Sequence, residues 1–310
     1  MNATVKSQRL AFEDKYIKDV DLTLNNLEDM VSGQFTSSET AIGGFTLNNT
    51  AITMGMVNDT LDVRISYHNP GETLSGGELG LLGAFRRTED GKLAIDATTQ
   101  PSIISEGGTD WRILPASISY DNGDIRVGKL VVDGEDQFLT LDGGISKTKA
   151  DTLILGLDSF NLGVIGQLLN GAMDFGGRAT GQAVLTSPLE GDMGLLMNIV
   201  SDSTSLNGVP LGQLRLASNW NEENSSIEAT LSTLLDDATP IDVRGSYTPS
   251  TKNVTAQAVL DGFNLAYFDG IAPDVFSEMG GRVHGTINLS GPIDNLSISG
   301  EDTFLNGVRL

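Results

Sequence analysis

Apolar and polar residues alternate along many short stretches of this chain. A two-residue period fits one local structure, a strand with one face covered and the other wet. Leu61-Asp62-Val63-Arg64-Ile65-Ser66-Tyr67 sets four apolar side chains on one face and Asp, Arg and Ser on the other. Tyr16 to Leu24 places Val20, Leu22 and Leu24 together, and 138–142, 153–157, 213–216 and 241–244 follow the same rule more loosely. Between such stretches stand turn-forming pairs: Asp90-Gly91, Asn122-Gly123, Asp133-Gly134 and Asn207-Gly208. Short strands at this spacing predict an all-β chain of extended antiparallel architecture.

Composition removes most chemistries. The 310 residues carry 41 acidic and 19 basic side chains, a formal charge of −22, which repels the phosphate backbone of nucleic acid. Without cysteine there is no zinc ribbon, disulfide scaffold or thiol nucleophile. The two histidines are His68, in the turn-like His68-Asn69-Pro70-Gly71, and His284, which alternates outward from Val283 and Gly285. No G-x-S-x-G elbow and no phosphate-binding loop occurs. Asp121-Asn122-Gly123-Asp124 and Asp133-Gly134-Glu135-Asp136 are acidic, but neither has the EF-hand spacing for calcium. We therefore expect a protein that is not an enzyme, with no catalytic site, metal or cofactor. No apolar run approaches the roughly 18 residues that would span a bilayer as a helix.

Two stretches switch to helical spacing: Leu162, Ile165, Leu168, Leu169 and Ala172, and Leu265, Phe268, Ile271, Val275, Phe276 and Met279. Each follows nearly the same words, Leu157-Asp158-Ser159-Phe160-Asn161-Leu162 and Leu260-Asp261-Gly262-Phe263-Asn264-Leu265. The match resumes at Gly176-Gly177-Arg178-Ala179-Thr180-Gly181 against Gly280-Gly281-Arg282-Val283-His284-Gly285, and at Leu206-Asn207-Gly208-Val209 against Leu305-Asn306-Gly307-Val308. A unit of about 100 residues is thus present almost twice. The expected organisation is a segment over 1–110, a first unit over 111–219 with a short helix near 162–173, and a second over 220–310 with one near 266–279. The second unit stops in mid-repeat, which suggests an excerpt of a longer protein. A duplicated sandwich and an extended solenoid both fit; the missing linker favours one continuous sheet.

The run from Leu260 to Asp269, then Val275-Phe276-Ser277-Glu278-Met279-Gly280-Gly281-Arg282-Val283-His284-Gly285, then Leu289-Ser290-Gly291-Pro292-Ile293-Asp294-Asn295, resembles the TamB (translocation and assembly module) family. Leu296 stands where that family often has proline. Trp111-Arg112-Ile113-Leu114-Pro115 and Gln137 to Gly143 look similar too, so the likeness covers 105–310 and, in style, 1–104. The resemblance, to the middle-to-C-terminal β-rich part of AsmA-like, bridge-like lipid-transfer proteins, implies an elongated curled sheet, taco-like, with an apolar inner groove. It implies phospholipid transport and support of outer-membrane protein assembly. It implies a periplasmic location in an inner-membrane-anchored parent and an Omp85-type outer-membrane barrel as partner. The residues expected to line a groove for acyl chains are Leu61, Val63, Ile65, Leu139, Leu141, Leu153, Leu155, Leu157, Leu185, Leu214, Leu216, Ile241, Val243, Ala258, Leu260, Val283, Ile287 and Leu289. Ala179, Gly181, Ala183 and Gly285 would leave room beside them. The alternative is a secreted or surface β-repeat scaffold that binds protein or polysaccharide through its loops and edges, over a filled interior.

Overall fold

The computed structural model describes the chain apart from residues 1, 13–14, 28–29, 43–44, 72–74, 89–90, 107, 147–150, 165–173, 187–193, 237, 269–279 and 310. It is nearly all strand, 83% against 2% helix, and the pairings are antiparallel. The chain divides into two compact units, Met1–Gly144 and Ile145–Leu310. Ser102 to Glu106 pair with Thr109 to Ile113 within the first of these units.

In the first unit, β1 (Asn2–Phe12), β2 (Lys15–Leu27), β3 (Met30–Ile42), β4 (Phe45–Val57), β5 (Thr60–Asn69), β6 (Ser75–Arg87) and β7 (Leu93–Glu106) form a meander in which each strand pairs with the next. β7 then pairs along one half with β8 (Thr109–Ile113) and along the other with β9 (Ser117–Asp121). Both of these pair with β10 (Asp124–Asp133), which is followed by β11 (Phe138–Ile145). β8 and β9 are in effect one strand interrupted at Pro115, which has no N–H for a ladder. Thr99 spans the gap: its hydroxyl donates to Leu114 O at 2.9 Å and accepts from Ala116 N–H at 2.8 Å.

In the second unit, β12 (Thr152–Asn161) pairs with β14 (Arg178–Thr186). β14 and the short β13 (Phe175–Gly176) both pair with β15 (Gly194–Leu206). The meander continues through β16 (Val209–Asn221), β17 (Ser226–Leu234), β18 (Ile241–Thr248), β19 (Asn253–Asn264), β20 (Gly280–Pro292) and β21 (Ser297–Arg309). Of the two expected helices, Gly163 and Val164 are helical and 165–173 lie outside the described residues. Leu265–Phe268 form a 3-10 turn, and 269–279 also lie outside.

Several turns have the geometry their sequences demand. Asn122-Gly123 joins β9 to β10 with φ of 52° and 98°, and Asn207-Gly208 joins β15 to β16 with φ of 50° and 76°. Both residues of such a two-residue loop are left-handed, which glycine tolerates without cost. Asn58-Asp59, between β4 and β5, makes the same turn without a glycine.

The outward face is charged and cross-braced. Arg64 lies 3.4 Å from Glu78, and Arg86 reaches Asp96 at 2.8 Å and Asp121 at 3.1 Å. At β2–β3 Lys18 meets Glu39 at 2.8 Å, Tyr16 donates to the same carboxylate, and Arg9 and Lys18 each stand 5.1 Å from the Tyr16 ring centroid. The Lys18 hydrogen bond first, and the Tyr16 hydroxyl second, hold the Glu39 carboxyl below its usual value.

Two outcomes follow. Gly208→Ala lowers stability by about 1 kcal/mol, whereas Gly55→Ala, at a strand position with nothing within 4 Å of the added carbon, leaves it unchanged or raises it by about 0.5 kcal/mol; thermal denaturation of both variants checks this. Because the Glu39 carboxyl is depressed in the fold, its stabilising effect is complete above the ordinary carboxylate range and fades as pH falls through the lower folded value. Acid titration should therefore show a shallower loss of stability in Glu39→Gln than in the parent.

Candidate functional site: an uncovered apolar face

The register brings the apolar members of successive strands into straight rows. In the first unit one row runs Val5, Leu22, Phe35, Ile52, Ile65, and a second runs Ala3, Leu24, Gly33, Met54, Val63, Leu81. In the second unit one row runs Leu157, Gly181, Ile199, Leu216, Leu231, Val243, Ala258, Ile287. Its neighbour runs Leu155, Ala183, Met197, Ser218, Ala229, Gly245, Ala256, Leu289. At about 4.8 Å between strands, each eight-strand row is roughly 34 Å long.

A second layer would normally bury such rows. Here most of them are only half-buried: β5 alternates between half-buried apolar residues and exposed polar ones from Thr60 to His68. Of the large apolar residues in these rows only Val5 and Leu24 are exposed, while Leu82, Ile154, Leu196, Val200 and Val259 are exposed on the opposite face. The chain leaves 18511 Å² accessible. One compact globule of this mass exposes roughly 12,500 Å², and two separate globules of half the mass roughly 15,000 Å² together. The accessible area exceeds either figure.

The expected lining residues fall as follows. Leu61, Val63 and Ile65 lie half-buried on the first unit's apolar rows, and Leu139 and Leu141 are half-buried on β11. Leu153, Leu155, Leu157, Leu185, Leu214, Leu216, Ile241, Val243, Ala258, Ile287 and Leu289 are half-buried, on the strand face defined by the second unit's rows. Leu260 and Val283 are buried instead, in a local core with Leu211, Phe263 and Leu265. Ala179, Gly181, Ala183 and Gly285 share the apolar face, opposite Phe160, Leu157, Leu155 and Leu260. Residue-by-residue reading missed Phe35, Ile52, Met54, Met197, Ile199, Leu231 and Ala256 on the same rows; the alternation Ile52-Thr53-Met54-Gly55-Met56 was the available signal.

The face is not uniform. Small residues meet where Ala229, Gly245 and Ala256 stand abreast, and an open hollow of about 560 Å³ lies over these segments of β17–β20. A Cβ on Gly245 would sit 2.9 Å from that of Ala256, so the row is as close-set as its backbone allows. Ser201 and Thr233 flank Leu214 in register, each 2% exposed, and neither hydroxyl has a hydrogen-bond partner. In the first unit, burial first and Glu106 second push the Tyr67 phenol up, so it stays neutral at pH 7.

The two copies of the sequence repeat make the same local device. In the first, β12 bulges after Leu157 with Ser159 at φ 50°; in the second, β19 bulges after Asp261 with Gly262 at φ 70°. Arg178 donates to Ser159 O at 3.1 Å, and Arg282 to Gly262 O at 3.4 Å. Asn161 accepts from Gly163 N–H at 2.9 Å, and Asn264 from Ala266 N–H at 3.0 Å, each starting the turn that leaves the strand. The bulge N–H is capped by Thr180 Oγ1 at 3.0 Å in one copy and by His284 Nδ1 at 3.1 Å in the other. Gly181 and Gly285 follow at φ 151° and 147°. The bulge moves Phe160 and Phe263 onto the face of Leu157 and Leu260, where regular alternation would turn them outward.

His284 also lies 2.9 Å from Asp261, both partly exposed. Nδ1 serves one of the two at a time, accepting from the Gly262 N–H in one tautomer and donating to Asp261 in the other, and no group of three or more metal-binding side chains occurs among the described residues. No helix among the described residues is long and apolar enough to cross a membrane.

Together these observations define a class: antiparallel β-sheet units in which one face carries in-register, mostly half-buried apolar rows and the other carries the ion pairs together with exposed apolar residues such as Ile154, Leu196 and Val200. Compared with family models, characterised proteins and solved structures, the chain matches none.

The shared device carries a test. His284→Thr, which installs the first copy's cap in the second, leaves stability within about 0.5 kcal/mol of the parent, while His284→Ala loses about 1 kcal/mol by orphaning the Gly262 N–H. Urea denaturation of the two variants side by side distinguishes a cap from a side chain of no structural consequence.

Proposed function

We propose that the apolar face is a carrier surface for phospholipid acyl chains, and that the protein is not an enzyme. In this reading it works as a periplasmic segment of a TamB-like bridge between inner and outer membranes, beside an Omp85-type barrel, and supports outer-membrane protein assembly. The observation that carries the acyl-chain reading is the run of in-register apolar rows with no layer over them. Each methylene moved from water onto such a wall gains up to about 0.8 kcal/mol. A row of roughly 34 Å is as long as the bilayer's hydrocarbon core is thick, about 30 Å, and two acyl chains fill that core end to end. Strand ladders satisfy the backbone behind the row, so a chain sliding along it meets no unpaired backbone group there. The charged outer face keeps the same sheet in water, with Arg64, Asp62, Arg244 and Asp242 all pointing away from the rows.

Binding of a fluorescent polyene fatty acid tests this. Leu216→Glu and Leu231→Glu, neighbours in one row, each weaken binding by about tenfold or more, since each sets a charge against the chain. Arg215→Glu, on the opposite face of β16, leaves it unchanged. Circular dichroism confirms that all three remain folded. Equal binding by all three, or none by the parent chain, rejects the carrier surface.

A further inference from the structure

The second unit's apolar face has two unlike ends. At one, Leu211, Leu260, Phe263, Leu265 and Val283 pack into the local core. At the other, a cross-strand row runs Trp220, Ile227, Tyr247, Val254, Gly291. Trp220 has the parity of Leu216 and Tyr247 that of Val243, so both stand on the apolar face. Both are half-buried, and Trp220 lies against Gly194, where an added Cβ would meet its ring at 3.7 Å. Among the described residues, neither the Trp220 indole N–H nor the Tyr247 hydroxyl has a hydrogen-bond partner. Side chains with an apolar body and a polar tip collect where an apolar layer meets a wet one.

The turns just beyond that row are charged. The β16–β17 turn carries Glu222 and Glu223, the β18–β19 turn Lys252 and the β20–β21 turn Asp294, all exposed. None of these side chains has an ion-pair partner among the described residues, whereas Arg244, further along β18, is paired with Asp242 at 3.3 Å. The Ile293 N–H donates to Lys252 O at 3.0 Å, which ties two of the turns together and sets the exposed Ile293 beside Lys252. From the core outward, the face passes through open aliphatic rows to amphipathic rings, and then to free charges of both signs. One class of ligand has the same sequence of polarities: apolar tails, an ester zone that accepts hydrogen bonds, and a head group with a phosphate and an ammonium.

We propose that Trp220 and Tyr247 mark the head-group rim of the acyl-chain surface, a role that rests on that surface carrying lipid, and that the ligand is a zwitterionic phospholipid. The indole N–H and the phenol hydroxyl donate to the ester carbonyls. Lys252 pairs with the phosphate, and Glu222 and Glu223 with the ammonium. An anionic phospholipid offers nothing to the two glutamates and meets a chain of formal charge −22. Because the rim runs parallel to the apolar rows, a lipid moving along the rows keeps its head group beside it.

Fluorescence tests the rim directly. Short-chain phosphatidylcholine with a nitroxide near the carbonyl of one acyl chain, or at the end of that chain, is added below its critical micelle concentration. Trp111 is buried, and a Trp220→Phe chain supplies the background. The label near the carbonyl should quench Trp220 at least twice as strongly as the label at the chain end. Tyr247→Phe should lower the affinity for the diacyl lipid about fivefold, the worth of one net hydrogen bond, and less than twofold for the dialkyl ether analogue, which has no carbonyl. Phosphatidylcholine should bind at least fivefold more tightly than phosphatidylglycerol with the same chains, and Glu222→Lys/Glu223→Lys should reverse that order. Circular dichroism checks that each variant is folded. With lipid still bound, equal or stronger quenching from the chain end, an equal loss of both lipids in Tyr247→Phe, or no preference for phosphatidylcholine overturns the head-group rim and leaves the carrier surface standing. So does binding of the polyene fatty acid without binding of phospholipid. If the parent chain binds neither, the carrier surface falls and the rim with it.

Discussion

Cross-strand register is the constraint on which everything else rests. In an antiparallel ladder a slip of one residue moves every side chain to the other face. Pairings such as Leu216 with Leu231, Leu231 with Val243 and Val243 with Ala258 therefore do two jobs. They add small favourable contacts between neighbours, and they keep the charged set of Arg215, Arg244 and Asp242 on the opposite side. Without a second layer to bury the apolar set, this lateral coherence is what keeps one face greasy and the other wet.

The structure uses local irregularities to correct that coherence where the chain must turn off the sheet. The bulges before Phe160 and Phe263, each tied down by an arginine, an asparagine and a side chain capping the bulge N–H, bring a large aromatic onto the apolar side at the end of the strand. In the second copy this supplies the local core of Leu211, Leu260, Phe263, Leu265 and Val283. Closely packed side chains thus gather at one end of the second unit's strands, while the middle of the rows stays open. A carrier surface requires that division: a filled middle leaves no room, and an end without packing leaves the strands to fray.

Much of this was legible in the sequence. Alternation gave the strand class, Asn122-Gly123 and Asn207-Gly208 marked two-residue turns, and the repeated phrases marked the two equivalent bulges. The face changes were harder to read. Asp19 and Asn49 adopt φ near 50° without being glycine, so the odd-even pattern of β2 breaks with no residue to announce it. As a result Ile17 joins the face of Val20 although their numbers differ in parity. The pairing of the first half of β7 with β9 was equally hidden, because it joins Ala94 to Asp121 across an intervening strand and no local pattern records it. Burial of Leu260 and Val283 depended on the bulge beside them and on Leu211, far upstream of both.

The central claim is that one face of these strands, and not the other, carries acyl chains. Photolabelling with a phospholipid bearing a diazirine in its acyl tail, followed by mass-spectrometric mapping, addresses it residue by residue. The account predicts labels at alternate positions, on Leu155, Leu157, Leu216, Leu231 and Val243, with Ile154, Arg215, Thr230 and Asp242 unlabelled. Labels spread over both parities, or concentrated on exposed outer-face residues such as Ile154, Leu196 and Val200, would contradict it.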